Sequence, residues 1–166
     1  LDGKEGTVCH MIYEENEAVT TRVQGFLDTI AEHDNITVLE GTQPTPVTQE
    51  AEMAVAESWA AKYDEISCVF GGGGPISIAF MRGLESAGVD CGPDGGCLIY
   101  GVDGSQDEYA CIVDGDYTGT ARQQPDELAR IATEDVYTVL GGGEIDHDWL
   151  TYVDVIYVDA SNVDEY

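Results

Sequence analysis

Three polar side chains stand at the end of a strand-like run or in the segment that follows one, in places where hydrogen bonds can hold a small polar molecule. Arg22 is one of only six Lys and Arg residues and lies at the start of a predicted helix, where the helix dipole disfavours a cation. Asp103 ends an apolar run, and Gln123, or its neighbour Gln124, ends another. A guanidinium, a carboxylate and an amide offer donors and acceptors in fixed directions. They predict a site for a polyhydroxylated or zwitterionic small molecule.

Each of the three residues also has an ordinary structural interpretation, and the sequence leaves both open. Arg22 can pair with nearby glutamates at the surface. Asp103 can form an Asx turn or a cap within the segment DGSQ. Gln123 can be no more than the polar residue at which a strand leaves the sheet.

Four glycines followed by a proline, residues 71–75, are a further candidate contact. Glycine lets the backbone approach a ligand closely, and the free N–H groups at the start of the following helix suit an anion. Gly73 and Gly74, next to that helix, are therefore candidate binding residues. The run lacks the Gly-Lys-Ser/Thr ending of a nucleotide P-loop, and the alternative is a flexible turn.

The sequence has no pattern typical of catalysis or of a metal site. GxSxG is absent, and none of the three histidines stands beside a candidate nucleophile. His147 lies among Glu144, Asp146 and Asp148, but one histidine in a polar turn is typical of a solvated loop. We therefore expect no catalytic residue, no metal and no cofactor.

The five cysteines are an odd number, so at least one is free or pairs between chains. Cys9 and Cys68 lie in apolar strand-like runs, where a thiol behaves as a small buried hydrophobe. Cys91 and Cys97 flank the segment GPDGG. This pair either remains as two thiols or closes a small surface disulfide in an oxidising compartment.

The elements that must position these residues alternate along the chain. Five β-rich runs are each followed by a turn and a segment of helical periodicity, the pattern of a parallel sheet covered by helices. The predicted strands are 7–13, 36–40, 66–70, 97–102 and 117–122, the predicted helices are 17–33, 48–63, 75–87, 107–113 and 126–140, and an extended run covers 152–158. The predicted fold is α/β, a doubly wound parallel five-stranded sheet with helices on both faces. Ligands of such sheets bind outside the carboxyl ends of the strands, where the candidate residues fall.

Composition limits the expected partners. Of the 166 residues 43% are apolar, enough for one core of ordinary size. There are 33 acidic and 6 basic residues, and the formal net charge of -27 repels nucleic acid and anionic membranes, so we expect no nucleic-acid partner. Such acidity fits an exported protein and equally an adaptation to high salt. No apolar run is long enough to span a bilayer, and no signal segment is recognisable within the chain.

Five segments carry a family resemblance through their order along the chain. They are TRVQGFLDTI, EISCVFGGGGPISIAFMRGLESAG, GVDGSQDEYACIVDGDYTGTARQQP, the following helix to LGGGE, and VDVIYVDASNVDEY. Taken in this order, they resemble the sugar-type, ribose-binding-protein-like branch of the type 1 periplasmic solute-binding proteins of ABC transporters. Members of that family have two lobes joined by three crossings, with the ligand in the cleft between them. The resemblance implies that residues 1–123 are the C-terminal ligand-binding lobe. It implies that residues 124–166 are a return helix and final strand that contact an N-terminal lobe absent from this chain.

By position, Arg22, Asp103 and Gln123 match polar residues that hold a pentose or hexose in this family. Two positions depart from the family pattern. Gly73 and Gly74 stand where an Asn-Asp pair is usual, and Val47 stands where an aromatic side chain often stacks on the sugar. The resemblance therefore implies a sugar or a similar small polar solute as ligand, held by a different set of contacts.

The function implied is that of a non-enzymatic, extracytoplasmic solute-binding component of an ABC transporter, in the periplasm or as a cell-surface lipoprotein, which docks on a membrane permease. The alternative is the effector-sensing domain of a LacI-type transcription regulator. A third possibility is an enzyme of flavodoxin-like architecture, which would need a cofactor. Without a second lobe, the helix at 126–140 is expected to repack or to self-associate through its apolar face.

Overall fold

The computed structural model describes residues 3–148 and 151–166. In that part of the chain the strands are β1 Gly6–Met11, β2 Ile36–Thr42, β3 Cys68–Phe70, β4 Leu98–Asp103, β5 Gly119–Arg122 and β6 Ile156–Asp159. The helices are α1 Glu17–Ile30, α2 Gln49–Lys62, α3 Gly74–Ser86, α4 Gln106–Asp114 and α5 Pro125–Leu140, with a 3₁₀ turn at Val163–Glu165. All predicted strands and helices are present, with ends that differ by a few residues.

The strands form one sheet in the order β2-β1-β3-β4-β5-β6. The first five in sequence are parallel, and β6 pairs antiparallel with β5, Val158 opposite Thr120. The doubly wound α/β fold is therefore confirmed, and the sheet has a sixth, antiparallel strand beyond the five predicted. The extended run predicted at 152–158 pairs only over Ile156–Asp159, because β5 offers just the four residues Gly119–Arg122.

Helices cover both faces of the sheet. The connections β1 to β2 and β2 to β3 run in opposite directions, and parallel crossovers are right-handed, so α1 and α2 lie on opposite faces. On one face Phe26 of α1 stacks on Phe70 with ring centroids 4.5 Å apart. On the other face α2 packs on α3, where the ring centroids of Trp59 and Phe80 are 4.9 Å apart. Both of these rings are almost completely buried, and burying a side chain such as that of Phe80 stabilises the fold by roughly 1.5–3 kcal/mol.

Capping side chains fix where helices begin. Asn16 accepts a hydrogen bond from the backbone N–H of Val19 at the start of α1, and Thr48 accepts one from Ala51 at the start of α2. Such caps satisfy N–H groups that have no partner within the helix. They hold the loops after β1 and β2 in place relative to the helices that follow.

Helix α5 has no buried residue. Its large apolar side chains face solvent, with Tyr137 and Leu140 each 82% exposed. The segment after the helix folds back on it through His147, whose Nε2 lies 2.9 Å from Asp135 Oδ1. Among the residues described, no helix combines the length and apolar character that a bilayer-spanning segment needs.

The cysteines are thiols in this structure. Cys91 and Cys97 are both buried, and their backbones are neighbours in a parallel β-bridge. A hydrogen bond with Cys91, together with burial, raises the pKa of Cys97. The pair is therefore part of the protein interior and not of the surface loop that the sequence suggested.

Candidate ligand-binding site

The segments that follow four adjacent parallel strands meet at the carboxyl edge of the sheet. They follow β1, β3, β4 and β5, and the strand order reverses between β1 and β3. This reversal is the place where doubly wound sheets bind ligands. All five residues predicted as binding residues lie here, and four of them are joined by hydrogen bonds: Arg22, Asp103, Gln123 and Gly74.

Asp103 is the centre of this group. Its Oδ1 accepts hydrogen bonds from Arg22 Nη1 at 3.2 Å and from Gln123 Nε2 at 2.7 Å. Its Oδ2 accepts one from the backbone N–H of Gly74 at 3.2 Å. The φ angle of Asp103 is 132°, a value that costs a non-glycine residue roughly 1–3 kcal/mol and is found mostly at functional sites. The carboxylate thus links three segments, which follow β1, β3 and β5, and this goes beyond the local turn that the sequence allowed.

Arg22 approaches Asp103 from the other side of the strand reversal. It lies in the second turn of α1, which begins at Glu17, and not at the start of the helix as predicted. Its Nη1 donates to the carbonyl of Gly72 at 2.9 Å as well as to Asp103. The two side chains are 24% and 34% exposed, so their attraction is worth only about 0–1 kcal/mol. Within the described residues Nε and Nη2 have no hydrogen-bond partner, so the outer part of the guanidinium remains available to a ligand.

The two glutamines after β5 have different roles. Gln123 holds Asp103 twice, through its side chain and through its backbone N–H, which donates to Asp103 O at 3.1 Å. Gln124 turns away, and its Nε2 donates to the carbonyl of Asp154 at 2.8 Å. The ambiguity between these neighbours is resolved in favour of Gln123 as the residue at the site.

A buried carboxylate behind the glycine loop was missed by the sequence analysis. Glu108, fully buried, accepts hydrogen bonds from the backbone N–H of Ser105 at 2.8 Å, from Ser105 Oγ at 3.0 Å and from the Tyr117 hydroxyl at 3.2 Å. Burial, and the charge of Glu108, raise the pKa of Tyr117. The pattern Ser105-x-x-Glu108 is a capping box, and this signal in the sequence could have identified it.

Glu108 also fixes the loop 71–74. A Cβ on Gly74 would stand 2.4 Å from Glu108 Oε2, so glycine is needed there for the carboxylate to fit. Gly74 is the first residue of α3, and a helix N-terminus attracts negative charge. Glu108 and Asp103 therefore place two carboxylates at this helix end, one buried and one facing the site.

The group offers the hydrogen-bonding atoms that can hold a polar molecule. The outward-facing groups are guanidinium N–H donors, a carboxylate oxygen and the Gln123 amide, which match hydroxyl groups as both donors and acceptors. In residues 3–148 and 151–166 no cluster of metal-binding side chains occurs. A mostly apolar groove of about 810 Å³ begins beside Arg22 and Gln123 and runs along the face of the sheet next to α1, as far as Ile36 at the start of β2. Val47 packs partly buried against the core, so an aliphatic side chain stands where the resemblance implied an aromatic one.

Comparison with known proteins agrees with this architecture. The model of the periplasmic binding protein domain matches residues 2–144. The chain belongs to this family. The resemblance found in the sequence is therefore confirmed at the level of the family.

Two curated relatives are ribose import binding proteins. That of Bacillus subtilis (strain 168) is 27% identical over 93 residues, which are 56% of this chain and 28% of that protein. That of Salmonella typhimurium (strain LT2) is 24% identical over 128 residues, which are 77% of this chain and 41% of that protein. The chain thus spans less than half the length of these relatives.

Solved structures of similar proteins match almost the whole chain. A periplasmic solute-binding protein of an ABC transporter from Actinobacillus succinogenes 130z, with bound D-allose, has a TM-score of 0.85 and 22% identity over 98% of this chain and 55% of its own. The periplasmic binding protein of the arabinose ABC transporter from Shewanella sp. ANA-3 also has a TM-score of 0.85, at 20% identity over 99% of this chain and 53% of its own. These matches confirm the fold.

Proposed function

We propose that this chain provides one side of the ligand cleft in an extracytoplasmic solute-binding component of an ABC transporter, and that its ligand is a sugar or a similar small polar solute. The observation that carries the proposal is the arrangement around Asp103. Side chain or backbone groups from three segments, which follow β1, β3 and β5, are hydrogen-bonded to one carboxylate. Carboxylates, amides and guanidinium groups held rigidly in this way pay little entropy on binding.

The proposal assigns no chemistry to the site. Asp103 is committed to three hydrogen bonds, and the described residues place no nucleophile and base within reach of each other at this edge. The residues around Asp103 are therefore proposed to bind a ligand. No observation favours the alternative role as the effector-sensing domain of a transcription regulator.

Residues 124–166 are proposed to contact further polypeptide. In α5 the side chains of Leu128, Val136 and Val139 form one stripe along the helix and are 46%, 58% and 55% exposed. In relatives about twice as long, an N-terminal lobe is the natural occupant of this stripe. In the chain by itself, the proposed occupant is the same stripe of a second copy.

Light scattering at rising concentration tests this association. The chain is expected to form dimers, and Val136→Glu is expected to abolish them because it places a charge in the stripe. Thr133→Glu adds the same charge outside the stripe and serves as the control. A strictly monomeric chain at high concentration contradicts the proposal of self-association.

The proposal includes a cellular location for the protein and a partner in transport. An acidic, solute-binding member of this family is expected outside the cytoplasm, in the periplasm or attached to the cell surface as a lipoprotein, with a membrane permease as its docking partner. The net charge of -27 makes docking dependent on ionic strength, because long-range steering between charged surfaces is screened by salt.

Isothermal titration of the intact protein tests the ligand class. D-ribose, D-allose, L-arabinose, myo-inositol and a set of amino acids are titrated in turn, and at least one sugar or polyol is expected to bind. Gln123→Ala is expected to weaken that binding by about tenfold or more. It removes the hydrogen bond from the Gln123 amide to the charged carboxylate of Asp103, which then holds its position less firmly. Gln124→Ala, its neighbour outside the site, is the matched control. Binding of amino acids alone, with no heat from any sugar or polyol, contradicts the sugar assignment.

A further inference from the structure

Of the four consecutive glycines in the loop 71–74, three are required by the fold, each for a different reason. A Cβ on Gly71 would stand 2.4 Å from Ser77 Oγ and 2.6 Å from Ser77 N. These distances are too short, and Ser77 N is a backbone atom of the helix that cannot move aside. Gly72 has a φ of +73°, in the left-handed region that favours glycine. A Cβ on Gly74 would stand 2.4 Å from Glu108 Oε2. Each of these three glycines is therefore explained by the fold.

Gly73 is the exception. Its φ of -159° and ψ of 151° are extended values that any residue adopts. A Cβ there would lie 3.6 Å from Ile76 Cδ1, 3.7 Å from Asp103 Oδ2 and 4.0 Å from Arg22 Nη1, all ordinary van der Waals distances. Neither the backbone nor the packing excludes a side chain at this position.

The missing side chain affects the site itself. A methyl group on residue 73 would touch one carboxylate oxygen of Asp103 and one guanidinium nitrogen of Arg22. It would fill space next to the carboxylate of Asp103. Glycine at this position therefore deepens the site by about one carbon–carbon bond beside that carboxylate.

We propose that Gly73 is a specificity-determining residue, which makes room for an exocyclic hydroxymethyl group of a sugar. The methylene carbon would take the volume that a Cβ would occupy. The hydroxyl would donate to Asp103 Oδ2, beside the guanidinium of Arg22. The inference rests on the proposed function and adds to it that a sugar with this substituent binds more tightly than the same ring without it.

D-allose and D-ribose are suitable probes, because their pyranose forms differ by this hydroxymethyl group. In titrations of the intact protein, D-allose is expected to bind more tightly than D-ribose. Gly73→Ala is expected to weaken D-allose binding by about tenfold or more and D-ribose binding much less, as one misplaced carbon in a binding pocket does. Gly96→Ala, a glycine whose Cβ would have only one neighbour, the Asp90 carbonyl oxygen at 3.9 Å, is the control away from the site.

Thermal unfolding of the same variants separates specificity from folding. Gly73→Ala is expected to keep the Tm of the wild type. A large fall in Tm, a preference of the wild type for D-ribose, or equal loss of both sugars in Gly73→Ala each overturns the role given to Gly73 and leaves the sugar-binding function intact. No binding of any sugar by the wild type overturns both the inference and the function on which it rests.

Discussion

Helices α3 and α5 are both amphipathic, yet they stand in opposite relations to the rest of the molecule. Of the 13 residues of α3, eight are buried, and its first residue donates to the carboxylate at the centre of the site. None of the 16 residues of α5 is buried. The difference separates a helix whose apolar face is covered inside this chain from one whose apolar face has no cover in the residues described.

This contrast links packing to function. The end of α3 must be rigid, because Asp103 and Glu108 both depend on its position. The body of α3 supplies that rigidity through contacts with α2 and β4. Helix α5 begins two residues after Gln123, so it starts at the rim of the site and leads away from it. Covering α5 would therefore bring additional polypeptide next to the candidate site.

The largest expected effect is a difference in stability between matched truncations in the two helices. Phe80→Ala empties a fully buried position in α3 and is expected to lower the free energy of unfolding by about 3–5 kcal/mol. Val136→Ala in α5, where the side chain is 58% exposed, is expected to change it by less than about 0.5 kcal/mol. Urea denaturation at low protein concentration measures both. Equal losses from the two changes would contradict the distinction between the helices.

A smaller effect is expected where α3 meets the buried carboxylate. Gly74→Ala is expected to cost about 1–3 kcal/mol, because the new methyl group overpacks against Glu108. Although this carboxylate is the end of a flexible side chain, three hydrogen bonds hold it in place. Glu108→Ala removes the obstruction at the cost of the capping box.

The variant that carries both Gly74→Ala and Glu108→Ala measures the interaction free energy between positions 74 and 108. The double variant is expected to lose less stability than the sum of the single changes, by about 1 kcal/mol or more. Additive losses, measured by the same urea denaturation, would show that Glu108 does not restrict the residue at position 74.

The smallest expected effect concerns the contact that folds the chain back on α5. The backbone carbonyl of Asp148 and the carboxylate of Asp135 raise the pKa of His147 above its usual value. A raised pKa means that the protonated form stabilises the folded state. This contribution is complete below the unfolded pKa of roughly 6.5 and is lost as the pH rises through the higher folded pKa.

Thermal unfolding of His147→Asn at acid and alkaline pH tests this contact. The variant is expected to be less stable than the wild type at acid pH and nearly equal to it at alkaline pH. His33→Asn changes an exposed histidine that has no carboxylate at ion-pair distance among the described residues, and it serves as the control. A deficit that grows with pH would reverse the assigned sign.

Much of the site could be predicted because it depends on the order of the strands and on the polar residues that follow them. Asp103 and Gln123 stand at the ends of apolar runs and Arg22 follows another in the next helix, and parallel strands bring their carboxyl ends to one edge. Periodicity shows which residues are apolar on one face of a helix. It does not show whether another part of the same chain covers that face, and α3 and α5 differ in just this respect.

The features that could not be predicted depend on long-range contacts. The antiparallel direction of β6 follows from how the chain returns to β5. The choice between Gln123 and Gln124 follows from the carbonyl of Asp154, 30 residues away. The reasons for three of the four glycines depend on Ser77, on a backbone angle and on Glu108. In the sequence the four glycines look the same.

The central claim is that a sugar binds at the loops joined by Asp103, and a nuclear magnetic resonance titration of the intact, ¹⁵N-labelled protein with D-allose tests it most directly. The backbone amides of Gly72, Gly73, Asp103 and Gln123 are expected to shift together and to saturate. Those of Glu5 and Glu65, which line a cavity at the opposite edge of the sheet, are expected to stay unchanged. Shifts confined to that opposite cavity, or no shifts at saturating sugar, would contradict the account.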